Sequence, residues 1–272
     1  MIYWNVSPDI VTIGPFSVFD LFTFGPLVIR WYGLLFALSF IVGFQIMMVI
    51  FKKEKRSDEH LNDLVWYMIL GTVIGARLGH CLFYNPVYYL THPVEIFMVW
   101  KGGLASHGAA VGILTAMYLF TKKNKEFSFL WLFDRIVITA ALGGFFIRMG
   151  NLFNSEILGV QTDLPWAFIF ASVDSVPRHP AQLYEAVSYL IIFIFLIVYY
   201  FRTQGKFKPG FIFGVFLVAL FTVRFLIEFI KEDQTYFEQG MLLNMGQILS
   251  IPLIFWGIYL IFRKDKKKIV IQ

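Results

Sequence analysis

The chain has 272 residues, 58% of them hydrophobic and only 15% charged, with a formal net charge of +5. That balance excludes an ordinary soluble domain, whose solvated surface needs far more charge. The positive charge does not mark a nucleic-acid partner either, because the basic residues stand in short clusters between apolar runs rather than along one solvated face.

Read in order, the chain opens with Met1-Ile2-Tyr3-Trp4-Asn5, which lacks the charged start of a cleaved signal peptide. Insertion then falls to internal apolar segments. Residues 1–25 carry Tyr3, Trp4, Phe16, Phe19, Phe22 and Phe24 among prolines and glycines, a composition that predicts an interfacial arm. Seven apolar runs follow at roughly 26–51, 61–84, 104–121, 129–152, 184–201, 211–230 and 243–262. Each approaches the ~20 residues that a membrane-crossing helix needs. The expectation is an all-α polytopic membrane protein with about seven transmembrane helices, forming a single integral membrane domain over 1–272. Residues 85–103, with Tyr88, Tyr89 and Trp100, read as an outer surface segment, and 153–183, with Pro165, Trp166, Pro177 and Pro180, as a small external cap.

Basic clusters set the orientation. Lys52, Lys53, Lys55 and Arg56 follow the first run; Lys122, Lys123 and Lys125 the third; Arg202, Lys206 and Lys208 the fifth; Arg263, Lys264, Lys266, Lys267 and Lys268 the seventh. Clusters after every odd-numbered span put the N-terminus outside and the C-terminus in the cytoplasm. Residues 263–272 are then a cytoplasmic basic tail anchored on anionic lipid.

The informative residues are polar ones where lipid is expected. Arg30, Arg77, Arg135, Arg148 and Arg224 lie within or at the ends of spans, and a charge near the bilayer centre costs at least ~2.5 kcal/mol, so each needs a partner, a wet cavity or a task. With the topology above, Tyr32, Arg77, His107, Arg148, Asn151, Asn154, Gln182, Tyr184, Glu185, Arg224, Glu228 and Gln247 all fall toward the outer side. Only Arg135 sits at the cytoplasmic end, beside Asp134, where snorkelling or a local pair suffices. Arg224 and Glu228, four apart, share a helix face on which an ion pair can form. The convergence predicts one polar site opening toward the outer leaflet.

Arginines in a desolvated pocket bind phosphate through charged, bidentate hydrogen bonds, and phospholipid headgroups are the phosphates available at that depth. His107 follows the flexible Gly102-Gly103 and is a candidate general base. His80 is better read as an interhelical hydrogen-bonding residue, and His179 as part of the cap turn Pro177-Arg178-His179-Pro180. A single cysteine, Cys81, excludes an internal disulfide and a cysteine-based metal site, and no His-Glu-x-x-His, P-loop or Gly-x-Ser-x-Gly motif occurs.

Gly144-Phe145-Phe146-Ile147-Arg148-Met149-Gly150-Asn151-Leu152-Phe153-Asn154-Ser155-Glu156-Ile157-Leu158-Gly159 resembles the signature of the prolipoprotein diacylglyceryl transferases. Five more stretches agree in order: Arg30-Trp31-Tyr32-Gly33; Gly75-Ala76-Arg77-Leu78-Gly79; Trp100-Lys101-Gly102-Gly103 leading to Ser106-His107-Gly108; Arg178-His179-Pro180-Ala181-Gln182-Leu183-Tyr184-Glu185; and Arg224-Phe225-Leu226-Ile227-Glu228-Phe229. Two departures stand out. Ile230-Lys231-Glu232-Asp233 replaces the family's usual arginine and Pro-Asp, and Ala109 replaces a common glycine.

The resemblance implies transfer of diacylglyceryl from phosphatidylglycerol to the lipobox cysteine thiol of a preprolipoprotein, at the bacterial cytoplasmic (inner) membrane, without a metal or organic cofactor. It implies His107, Arg148, Arg224 and Tyr32 as catalytic residues. Arg148 and Arg77 with Asn151, Asn154, Glu156, Gln182, Tyr184, Glu185 and Glu228 would bind substrate. Partners would be phosphatidylglycerol, the lipobox signal peptide and membrane lipids. Two rivals share the buried arginines: a transporter of an anionic substrate, which predicts polar groups in both halves of the bilayer, and another phospholipid-headgroup transferase.

Overall fold

The computed structural model describes residues 1–18, 22–99, 102–232 and 240–264. Phe19, Trp100, Lys101, Asp233 and Lys266, Lys267 and Lys268 lie outside these residues. The described chain is mostly helical and divides into two compact units, Met47–Phe133 and the combination of Met1–Ile46 with Asp134–Gln272. The helices are α1 (Trp31–Lys53), α2 (Asp58–Phe83), the short α3 (Pro86–Thr91), α4 (Ser106–Lys123), α5 (Phe129–Phe153), α6 (Ala181–Thr203), α7 (Phe211–Ile227) and α8 (Met245–Phe262).

Seven long helices therefore occupy the seven predicted runs. Six have the length and apolarity of a membrane span; α4 is the one that falls short, because it opens on Ser106-His107-Gly108 and closes on Lys122-Lys123. The protein is a polytopic, helical membrane protein. Its large apolar side chains are exposed along the helices, among them Ile41, Trp66, Ile74, Ile191 and Phe255, as lipid-facing surface requires.

In the unit Met47–Phe133, α2 and α4 pack through small residues. A Cβ at Gly75 would lie 2.5 Å from the Gly108 carbonyl oxygen, and one at Gly112 only 2.1 Å from that of Gly71. Gly71, Gly75 and Gly79, spaced four apart, form one continuous strip on α2 that admits the backbone of α4. Such close approach drives helix association where no hydrophobic effect operates. Ser57 caps α2 by accepting from the His60 amide. At that end Arg56 lies over the rings of Phe127 and Trp131, at 5.0 and 5.3 Å, and pairs with Glu126 at 3.3 Å. One member of the first basic cluster is thus a packed side chain as well as a charge.

The other unit contains β structure that the helical reading of the sequence does not predict. Strand β1 (Ile2–Trp4) runs parallel to β6 (Phe168–Phe170), which pairs antiparallel with β7 (Pro177–Arg178). Strand β2 (Asp9–Ile13) pairs with β5 (Leu27–Arg30), and β3 (Phe16–Val18) with β4 (Phe22–Phe24). The β2–β5 pairing takes residues 27–30 out of the first predicted span, so α1 starts at Trp31. Arg30 is consequently an exposed strand residue, paired with Asp9 at 3.1 Å, rather than a charge within a span. Beneath β1 and β6, Leu152, Leu158, Phe168 and Phe170 form a buried apolar cluster with Trp4, Met149 and Leu183 packed against it. That cluster fixes the end of α5 against the segment that follows it.

Asp134, in the first turns of α5, is fully buried and accepts from the amides of Gly210 (2.6 Å) and Phe213 (2.9 Å), capping α7 from a distant part of the chain. Arg135 lies 3.9 Å from Asp134 and over the ring of Phe207, so the local pair is present and an aromatic face accompanies it. Farther along, α7 and α8 meet at Gly214 and Gly257, where a Cβ on either would sit 2.8 Å from the carbonyl oxygen of the other. An Asn244–Gln247 capping box begins α8.

Candidate functional site

The polar residues of α5 lie on its last two turns and in the reversal that follows. Arg148 Nη1 donates to Asn151 Oδ1 at 3.3 Å, and Asn151 Nδ2 donates to Glu156 Oε2 at 3.0 Å. Asn154 Nδ2 reaches the other Glu156 oxygen at 3.1 Å. The chain turns back because Ser155 and Ile157 take positive φ, 53° and 59°, a conformation that L residues adopt only where surrounding contacts enforce it. Here the Glu156 amide bonds the Asn151 carbonyl, and Gln182 Nε2 donates to the Glu156 carbonyl at 2.5 Å. Four predicted site residues on α5 and its reversal, joined by Gln182 from α6, therefore form one hydrogen-bonded group.

From α6, Glu185 supplies the counter-charge. Its Oε2 lies 2.7 Å from Arg148 Nε and its Oε1 2.9 Å from Lys231 Nζ. Lys231 also pairs with Glu228 Oε2 at 2.9 Å. Tyr189, one turn beyond Glu185, donates to Glu185 Oε1 at 3.4 Å. The positive charges of Arg148 and Arg224 both act on the Tyr189 hydroxyl, while Glu156 and Arg148 act on Tyr32 with opposite sign. Tyr32 packs on Gly150, where a Cβ would lie 2.7 Å from its ring. That contact explains the glycine between Arg148 and Asn151. Tyr32, Arg148, Asn151, Asn154, Glu156, Gln182, Glu185, Arg224 and Glu228 thus belong to one neighbourhood in one unit.

The expected Arg224–Glu228 ion pair does not form. The α-helix gives way to a 3-10 turn at Glu228–Ile230, Glu228 turns to Lys231, and Gly246 makes room for its carboxylate, since a Cβ there would be 2.6 Å from Glu228 Cδ. Among the described residues the half-buried Arg224 has no carboxylate or hydrogen-bond partner for its guanidinium. Arg148 and Lys231 are paired with Glu185 and Glu228, while the third carboxylate, Glu156, is held by the side-chain amides of Asn151 and Asn154.

Tyr184 accepts from Trp166 Nε1 at 3.0 Å and lies 3.3 Å from His179 Nδ1. Below them Arg178 ties Asp174, at 2.6 Å, to Glu232. The Arg178 hydrogen bond, helped by the Val176 amide, holds the Asp174 carboxyl below its ordinary range.

Arg77 and His107 belong to the other unit. Arg77 is 3% exposed, and its guanidinium is engaged by backbone carbonyls: Nε by Ile96 (2.9 Å), Nη1 by Gly102 and Gly103 (2.6 and 3.2 Å) and Nη2 by Glu95 (2.5 Å), with Tyr89 under its plane. It acts as a clasp on the segment that leads to α4. Gly102 and Gly103 both take positive φ, 83° and 73°, a shape for which glycine is the natural residue. His107, in the first turn of α4, is exposed and its ring rests against Phe83 and Tyr84. His80 stacks on Tyr84 and meets Gly103.

A family model for prolipoprotein diacylglyceryl transferase matches residues 20–263. The chain belongs to that family. It is 49% identical over 266 residues to the phosphatidylglycerol–prolipoprotein diacylglyceryl transferase of Chloroherpeton thalassium, covering 98% of this chain and 95% of the relative. Enzymes of the same name from Tolumonas auensis and Bacteroides fragilis are 46% and 42% identical, covering 98% and 99% of this chain and 99% and 97% of theirs. The family's members are transferases, and the resemblance carried by six short motifs extends over nearly the whole length.

Sequence reading missed the parts that no motif marks. Lys231 sits at a departure from the family pattern, Tyr189 is one helical turn from Glu185, and Gly246 is an isolated glycine; only the glycine strip on α2 left a legible signal, its spacing of four.

Proposed function

We propose that the chain transfers the diacylglyceryl group of phosphatidylglycerol to the thiol of the lipobox cysteine in a preprolipoprotein, the first step of bacterial lipoprotein maturation. The observation that carries the reading is the buried group on α5, α6 and α7, in which Arg148 is fixed by Glu185 and Asn151 while Arg224 has no partner among the described residues. Fixed guanidinium donors in a water-poor site are suited to an anionic phosphodiester, and they stabilise charge on a departing phosphate without reorganising.

In this reading the thiolate sulfur attacks the glyceryl carbon that bears the phosphate. The C–S bond forms as the C–O bond breaks, and the bonding pair leaves on the phosphate oxygen as glycerol phosphate. A free thiol has a pKa of ~8.5, so a base or a positive field must generate the nucleophile; His107 takes that proton, supported by its exposed position at the start of α4 behind two flexible glycines. Arg148 and Arg224 hold the phosphate, Tyr32 orients the headgroup, and Asn151, Asn154, Glu156, Gln182, Tyr184, Glu185 and Glu228 shape the site. Arg77 supports the segment before His107 rather than the lipid. The protein works in the cytoplasmic membrane with its N-terminus outside, its C-terminus in the cytoplasm and the site toward the outer leaflet, an orientation supported by the basic clusters after α1, α4, α6 and α8.

The test uses purified protein in detergent with phosphatidylglycerol and a lipobox peptide carrying cysteine or serine. Mass spectrometry should find a diacylglyceryl adduct only on the cysteine peptide, lost in Arg148→Ala. Near-normal activity of His107→Gln would remove the general-base role and leave the transferase. Folded protein that yields no adduct with any lipid would overturn the reading.

A further inference from the structure

Lys231 is the one member of the buried charge group that stands where the motifs depart from the family pattern. Its backbone is held on one side of the residues that follow α5. Val160 donates to the Ile230 carbonyl at 2.9 Å, Glu232 donates to the Leu158 carbonyl at 3.1 Å, and Gly159 and Lys231 form a bridge. The side chain is 2% exposed, and its ammonium lies 2.9 Å from both Glu185 and Glu228. Lysine is almost never buried to this degree unless paired.

The charges in contact are Arg148 and Lys231 against Glu185 and Glu228, and they balance. Arg224 stands outside that balance. It lies four positions before Glu228, the spacing at which a helical ion pair forms, yet Glu228 is drawn to Lys231 and into the space over Gly246.

We propose that Lys231 is a positioning residue of the anion site, which holds Glu228 away from Arg224 and takes one oxygen of Glu185 while Arg148 takes the other. The inference rests on reading Arg148 and Arg224 as the binding site of the lipid phosphate. Without the ammonium, the charge of Glu228 is left buried and Arg224 is the cation within reach of it. Arg224 is then masked, and the phosphate loses a partner.

The experiment uses the full chain in detergent, with glycerol phosphate as the probe in calorimetry and phosphatidylglycerol in the peptide assay. Lys231→Met should weaken glycerol phosphate binding about tenfold or more and raise KM for the lipid more than it lowers kcat. Lys231→Arg, which keeps a cation, should stay within about threefold of wild type. The decisive variant is Lys231→Met with Glu228→Gln, which removes one charge of each sign and leaves Arg224 unmasked. It should bind glycerol phosphate about fivefold or more tightly than Lys231→Met alone.

Binding unchanged in Lys231→Met, with only a lower melting temperature, would reduce Lys231 to a structural ion and overturn the proposal. So would a double variant that binds as poorly as the single one. If Lys231→Met alone does not fold, the double variant decides by the same criterion. A wild-type protein that binds glycerol phosphate but forms no thioether would instead overturn the transferase reading, and the binding comparison among the variants would still test Lys231.

Discussion

Two buried arginines, Arg77 on α2 and Arg148 on α5, solve the same electrostatic problem in different ways. Arg77 engages Nε, Nη1 and Nη2 with backbone carbonyls, four hydrogen bonds that hold the segment before α4 in place. Arg148 is held by side chains, a carboxylate at Nε and an amide at Nη1. Backbone carbonyls are fixed, neutral acceptors, so a guanidinium surrounded by them retains its positive charge but has most of its donors occupied. A carboxylate on one edge orients the guanidinium and leaves donors for an incoming anion. Burial of an arginine in a membrane protein therefore does not by itself mark a site; the kind of acceptor around it does.

The largest test of this contrast is Arg148→Ala, expected to lower turnover about a thousandfold by removing charge stabilisation at the phosphate. A rate assay at matched folded fraction checks it, and an equal loss in a fully stable Arg77→Ala protein would erase the distinction. Gly75→Leu should follow, costing about 3 kcal/mol or more because its side chain would displace the α4 backbone. Thermal melting in detergent reads that loss, and wild-type stability would show that the α2–α4 contact does not anchor the Arg77 region.

Arg77→Lys comes next, at about 2 kcal/mol, since one ammonium cannot reach the carbonyls of Glu95, Ile96, Gly102 and Gly103 together. It should move the melting temperature more than KM for the lipid, whereas Arg148→Lys should do the opposite. Asp134 is the mirror image of Arg77, a buried carboxylate on backbone N–H groups; Asp134→Ala should cost about 1–2 kcal/mol of stability through the lost cap of α7. A rate effect without a melting shift would count against that structural role.

The smallest expected effect is a pH dependence at Asp174, between β6 and β7. Arg178 holds Asp174 below its ordinary pKa of 3.8, so the folded state binds the proton less tightly than the unfolded one. The stabilisation is fully present above 3.8 and is lost as pH falls through the lower folded value. Melting curves of wild type and Asp174→Asn should therefore differ at neutral pH and converge in acid. A difference that grows as pH falls would reverse the assignment.

The sequence by itself determined the helical membrane class, because lipid demands long uninterrupted apolar runs. Six motifs in order likewise identified the family and named nearly every polar residue now found around Arg148. The same runs said little about their ends: residues 27–30 are apolar enough for a span, yet pairing with β2 makes them a strand. Which charges meet was also beyond the sequence. The spacing of Arg224 and Glu228 predicts a pair, but a 3-10 turn, the glycine at 246 and an ammonium held beside the segment after α5 give Glu228 a different partner. Helical periodicity reports only neighbours along one element, whereas a buried charge is compensated by whatever the fold brings within about 3 Å of it. That choice belongs to the tertiary structure.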